Sequence, residues 1–148
     1  MLLRRERAMT AIAIMLDVAF HAGRSEAVSA ADIAERLGQA RRGIEPVLQS
    51  LSRAGLLDSI RGPKGGYRLG RPPRDLRLAE IVSTALDEDG APDAPQGRLQ
   101  AAVVAPLWSE LEGLCRDHLT KLTVADLIKR AAAAGVKRPV VEPLNFVI

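Results

Sequence analysis

Between Leu48 and Arg71 the chain reads L-Q-S-L-S-R-A-G-L-L-D-S-I-R-G-P-K-G-G-Y-R-L-G-R. Apolar residues at helical spacing give way to two short strand-like runs, and a basic, glycine-rich tip separates them. The order leaves few choices: a helix stopped by Gly55, strands at Leu57–Ile60 and Gly66–Leu69, and a turn through Arg61-Gly62-Pro63-Lys64-Gly65. A winged helix-turn-helix ends in this way, and Pro72 and Pro73 close the wing.

Upstream, the third helix covers roughly Arg41 to Ala54. Ile44, Val47, Leu48 and Leu51 point inward, and Arg42, Glu45, Gln49 and Ser52 outward. Pro46 lacks an N–H, so the regular helix is expected to begin near Arg42 or Gly43. A second helix starts at the capping-box pattern S-A-A-D, residues 29–32, buries Ile33, Ala34 and Leu37, and stops at Gly38. The first helix is apolar all round, which predicts burial between its own domain and a second subunit. The basic start followed by Ala8 to Leu16 imitates a secretory signal, but Asp17 and His21 interrupt the run, and the spacing is that of a folded helix.

Downstream, Asp75 to Leu86 forms a fourth helix with Leu78, Ile81, Val82 and Ala85 on one face. Residues 87–97, D-E-D-G-A-P-D-A-P-Q-G, read as an exposed acidic loop. A long helix then runs to about Leu119, with Pro106 in its first turn or kinking it. A second capping box, T-V-A-D at 123–126, opens a short helix to Ala134, and a proline-rich tail follows. The organisation expected is a DNA-binding domain at 1–86, the loop at 87–97, dimerisation helices at 98–135 and a tail at 136–148.

Apolar residues make up 47% of the 148 and aromatics 3%, so the interior is built from Ala, Leu, Ile and Val, favouring closely packed helices. The fold class expected is mainly α, a winged helix-turn-helix with a two-stranded β wing and a long C-terminal dimerisation helix. The net charge is only +3, yet between Ala40 and Arg74 eight basic residues face Glu45 and Asp58 alone. Such a local field attracts polyanions, here double-stranded DNA. A single cysteine, Cys115, excludes an internal disulfide and a zinc site built on several thiolates, and points to the cytoplasm, with the nucleoid as its place there. No catalytic motif is present, so an enzyme is not expected; neither is a cofactor, a metal site or membrane association.

In a helix-turn-helix, side chains near the start of the second helix reach base edges. Gln39, Arg41 and Arg42 stand there, with Gln49 further along the outward face. Arg pairs with guanine O6 and N7, which makes Arg41 and Arg42 the candidate base readers. Arg61 and Lys64 at the wing tip suit the minor groove or backbone, and Arg68 and Arg71 are weaker backbone candidates. Leu107, Trp108, Leu111, Leu114 and His118 form the candidate dimer seam. Cys115 is a candidate redox thiol, although its apolar stripe with Trp108, Leu111 and Leu119 suits packing. His21 and His118 belong to no recognisable constellation.

The run G-I-E-P-V-L-Q-S-L-S-R-A-G-L-L-D-S-I-R-G-P-K-G-G-Y-R-L, with L-W-S-E-L and L-T-V-A-D-L further on, resembles the Rrf2 family of bacterial transcription regulators over most of residues 8–130. The resemblance implies a homodimer held by the long helix crossing its mate and binding a partly palindromic operator; the chain is read as a dimeric transcription regulator acting as a repressor. Many such relatives sense iron, nitric oxide or redox state through an iron–sulfur cluster on three cysteines before the long helix. Here residues 87–105 hold neither Cys nor His, with Ala102 and Ala105 where ligands would stand. Any signal would then come from another source, such as a small-molecule effector between the wing domain and the dimer helices. The rival reading keeps the fold as a protein-interaction module without DNA binding.

Overall fold

In the computed structural model, residues 5–22, 26–86, 94–136 and 138–139 are described. Most of the acidic stretch (87–93) and of the tail (137 and 140–148) lies outside them. Helix α1 (Arg5–His21) runs through the middle of the chain's own core, burying Ala11, Ile14, Met15, Val18 and Ala19. One face of it is covered within the chain, because α2 (Ala30–Leu37), α3 (Arg41–Arg53), α4 (Leu78–Leu86) and α6 (Val124–Ala133) all pack against it, while Met9 stays exposed and Ile12, Ala13, Leu16 and Phe20 are partly buried.

Helix α2 begins where the Ser29 hydroxyl accepts the Asp32 N–H at 3.1 Å, and it ends at Gly38 in the left-handed region, φ 63°. The inward face of α3 is as its spacing predicts, with Ile44, Val47, Leu48 and Leu51 all buried. The helix starts at Arg41, slightly earlier than Pro46 suggested. Pro46 sits in the second turn, where the Arg42 carbonyl simply lacks that donor, and the Ser50 hydroxyl donates to the Pro46 carbonyl at 2.9 Å.

Strands β1 (Leu57–Ile60) and β2 (Gly66–Leu69) pair antiparallel, Leu57 opposite Leu69 and Ile60 opposite Gly66. Their turn is closed by the Gly65 N–H donating to the Gly62 carbonyl at 2.9 Å, so Pro63 and Lys64 occupy its two central positions. A clasp absent from the sequence reading joins the wing to the chain before α2: Val28 and Tyr67 exchange both backbone hydrogen bonds at 2.8 Å. At that crossing Gly66 has φ 154°, and any Cβ on it would collide with the Val28 carbonyl.

The fourth helix is shorter than expected. Pro73–Asp75 form a 3-10 turn, Leu76 extends into the core, and α4 begins at Leu78. Extension lets the Leu76 carbonyl accept from Val124 N–H and Leu78 N–H donate to the Leu122 carbonyl, both at 2.9 Å. This stitch brings α6 onto the core, where Val124 is fully buried and Leu127 and Ile128 pack beside it. Thr123 and Asp126 complete the capping box; hydrogen bonds from the Thr123 N–H and hydroxyl hold the Asp126 carboxyl below its ordinary pKa.

The long helix has a widened π turn at Gln100–Val104 before α5 (Ala105–Lys121). Pro106 explains it: proline offers no N–H and crowds the carbonyl four residues back, and an i→i+5 turn relieves both. No described helix is long and apolar enough to cross a membrane.

Candidate nucleic-acid interface

The turn Gly38-Gln39-Ala40 delivers α3 with its first turn exposed. Ala40 supplies no side-chain cap and the first turn holds no acid; the Gly43 N–H donates to the Ala40 carbonyl at 2.9 Å, and the positive end of the helix faces outward beside Arg41 and Arg42. Such an end favours phosphate oxygens.

The candidate readers are not equally available. Arg41 is held by Glu45 one turn on, Nε to Oε1 at 2.9 Å, and Gln39 donates to the Thr10 hydroxyl of α1 at 3.2 Å. Arg42 is exposed and ion-paired to no described residue, and Gln49 is exposed on the same outward side. On the wing, Arg61 and Lys64 are exposed and likewise unpaired, whereas Arg68 faces Asp58 across the strands at 3.6 Å. Arg71 is bound by Glu80 of α4 at 2.7 Å, a structural tie at the wing's foot.

These pairings have an electrostatic consequence. Glu45 and Asp58, the two acids within the basic segment, are each occupied by an arginine of that segment. Of the cations these pairings leave over, Arg42 at the start of α3 and Arg61 and Lys64 at the wing tip present their charge outward on the side of the helix start and the wing tip, while Arg74 lies at the wing's foot. The i,i+4 spacing of Arg41 and Glu45 was readable in advance; the Thr10–Gln39 contact, between residues far apart in sequence, was not.

On α5 the seam divides. Leu107 and Leu114 are exposed (51% and 61%), as is His118, and the stripe continues backwards through Val104, Val103 and Leu99. Leu111 and Cys115 turn partly inward toward the side on which Leu119 meets the core, with Trp108 at the margin. His21 does have company: its Nε2 lies 3.7 Å from Asp17, which also receives two hydrogen bonds from Arg36 at 2.9 Å. The Asp17 hydrogen bond raises the Arg36 pKa above its ordinary value.

The family model for Rrf2, an iron-dependent transcriptional regulator, matches residues 5–130. The chain belongs to the Rrf2 family. It is 35% identical over 124 residues to the HTH-type transcriptional regulator IscR of Vibrio atlanticus, spanning 80% of this chain and 70% of that protein. The solved structure of T. potens IscR matches with a TM-score of 0.70 and 29% identity, covering 90% of this chain and 91% of that one. CymR, the global cysteine regulator of B. subtilis, matches with a TM-score of 0.66 and 26% identity over 84% and 95%.

An iron-dependent Rrf2 protein needs iron ligands, and the residues present do not fit an iron–sulfur cluster. The chain has one cysteine, half-buried on α5, and the π turn leading to α5 carries Gln, Ala and Val side chains. Among the described residues no group of three His, Cys, Asp or Glu is placed to hold a metal.

Proposed function

We propose that this Rrf2 protein is a sequence-specific, homodimeric DNA-binding transcriptional regulator whose signal does not act through an iron–sulfur cluster. The observation that carries the reading is the pair of outward cationic points, Arg42 on α3 and Arg61 with Lys64 on the wing, left uncompensated once Glu45 and Asp58 are engaged. In this reading α3 enters the major groove, Arg42 reads a base edge and Gln49 assists. Arg41 joins when Glu45 releases it, Gln39 positions the turn, and Arg61, Lys64 and Arg68 hold the backbone or minor groove. The exposed α5 stripe is the seam for a second copy, and two copies set two half-sites one helical turn apart. Where such an operator overlaps a promoter, occupancy excludes polymerase and the action is repression.

The test begins with genomic footprints to define an operator, followed by affinity measurements on that duplex and on scrambled duplexes across a salt series. Arg42→Ala is expected to lower discrimination at one base pair by about 1–3 kcal/mol. Lys64→Ala is expected to weaken all sequences alike and to reduce the salt slope by about one. Affinity indifferent to salt and to both substitutions would overturn the reading. Recovery of a protein partner in place of nucleic acid at low salt would then favour an interaction module.

A further inference from the structure

An open groove of about 450 Å³ lies between the Pro72–Arg74 turn and α6. It is at the foot of the wing, and four-residue strands at about 3.4 Å per residue separate it from the Lys64 tip. Its apolar lining is Pro72, Pro73, Ala125 and Ile128, and its polar lining is Arg74, Lys129 and Arg138. No carboxylate is among the lining residues, and none of the three cations is ion-paired to a described residue.

The two walls are fixed before anything binds. The Leu76–Val124 and Leu78–Leu122 hydrogen bonds tie the chain after the 3-10 turn to the start of α6, and the capping box holds the first turn of that helix. A ligand entering such a groove does not have to order its two walls. The volume falls within the range of small-molecule sites, about 300–1,000 Å³, and an apolar lining beneath three cations matches an apolar body carrying negative charge. Duplex DNA offers phosphates without that apolar body.

We propose that this groove binds a small organic anion, an apolar body bearing a carboxylate or phosphate, with Arg74, Lys129 and Arg138 receiving the charge and Pro72, Pro73 and Ile128 receiving the body. Its role as the regulator's effector rests on the DNA-binding reading above; the binding itself does not. Bound there, the anion bridges the foot of the wing to α6, whose neighbour α5 carries the dimer seam.

The probe is 1-anilinonaphthalene-8-sulfonate, added to the full chain and followed by fluorescence, with uncharged N-phenyl-1-naphthylamine as the control. Saturable binding of the sulfonate is expected, much tighter than that of the neutral dye. Arg74→Ala/Lys129→Ala, both at exposed positions, should weaken it roughly tenfold or more. Phenylbutyrate and phenyl phosphate are expected to displace the dye, and their relative strength tells which head group is preferred. Salt-dependent duplex affinity should be the same in the double variant as in the unsubstituted chain. Dye binding unchanged in that variant would place the dye elsewhere, for example on the α5 stripe, and would overturn the proposal. So would a parallel loss of duplex affinity, because the cations would then be phosphate contacts. If the unsubstituted chain ignored DNA yet held the dye through Arg74 and Lys129, the DNA reading would fail and the anion site would stand.

Discussion

Asp17 and Arg36 tie the first helix of the reading head to the second. The Asp17 side chain is 8% exposed and that of Arg36 33%, so the carboxylate has given up most of its water and relies on the guanidinium. Removing the arginine leaves a buried charge whose remaining ion-pair partner among the described residues is His21. Arg36→Ala is therefore expected to cost about 2–3 kcal/mol in urea unfolding, and Asp17→Ala/Arg36→Ala less than that, because no orphaned charge remains. A double variant less stable than the single one would contradict this account. Sequence alone could not find the pair, whose members stand 19 residues apart with nothing in the intervening pattern to join them. Local chemistry was far more legible. Ser29, Gly38 and the Thr123–Asp126 box behave as their spacing dictates, because a cap is satisfied within three or four residues.

The wing was the most readable element, since its strand limits follow from alternation and turn residues. What its glycines do was only half legible. Composition assigns them all to turn geometry, yet Gly66 is required because another stretch of backbone, at Val28, passes against it. Gly66→Ala is expected to cost about 2–4 kcal/mol, from the strained φ and the collision together, and to speed amide exchange at Val28 and Tyr67. Gly38→Ala meets open space and pays only for its left-handed backbone, about 1 kcal/mol. Equal losses at the two positions in urea unfolding would remove the clasp from the explanation. Leu76 and the π turn illustrate the same limit on a larger scale. A helical pattern from Asp75 hides an extended residue that pairs with a distant strand-like segment, and Pro106 signals a disturbance without saying that the helix widens instead of breaking.

For the molecule as a whole, one side of α5 is left over by a single copy: Leu119 meets the core, yet none of the helix's residues is fully buried, and large apolar side chains line its outer side. Leu107→Asp/Leu114→Asp is expected to give a monomer in sedimentation and to leave monomer stability within about 0.5 kcal/mol, as for other surface substitutions. Affinity for a two-half-site duplex should fall about a hundredfold or more, since the second head then has to bind unaided. A variant that remained dimeric would move the seam off this helix. The Val28–Tyr67 clasp, finally, bears on what kind of operator such a molecule tolerates. With the hairpin stitched to the chain that feeds the helix-turn-helix, the two grips proposed for the duplex share one frame and are joined directly to each other. One base pair inserted between the bases under α3 and those under the hairpin tip offsets the grips by about 3.4 Å along the axis. Such a clasped head is ill suited to absorb that step, so half-sites altered internally should be rejected outright, and in the proposed dimer any latitude in spacing would come from the junction between its two copies.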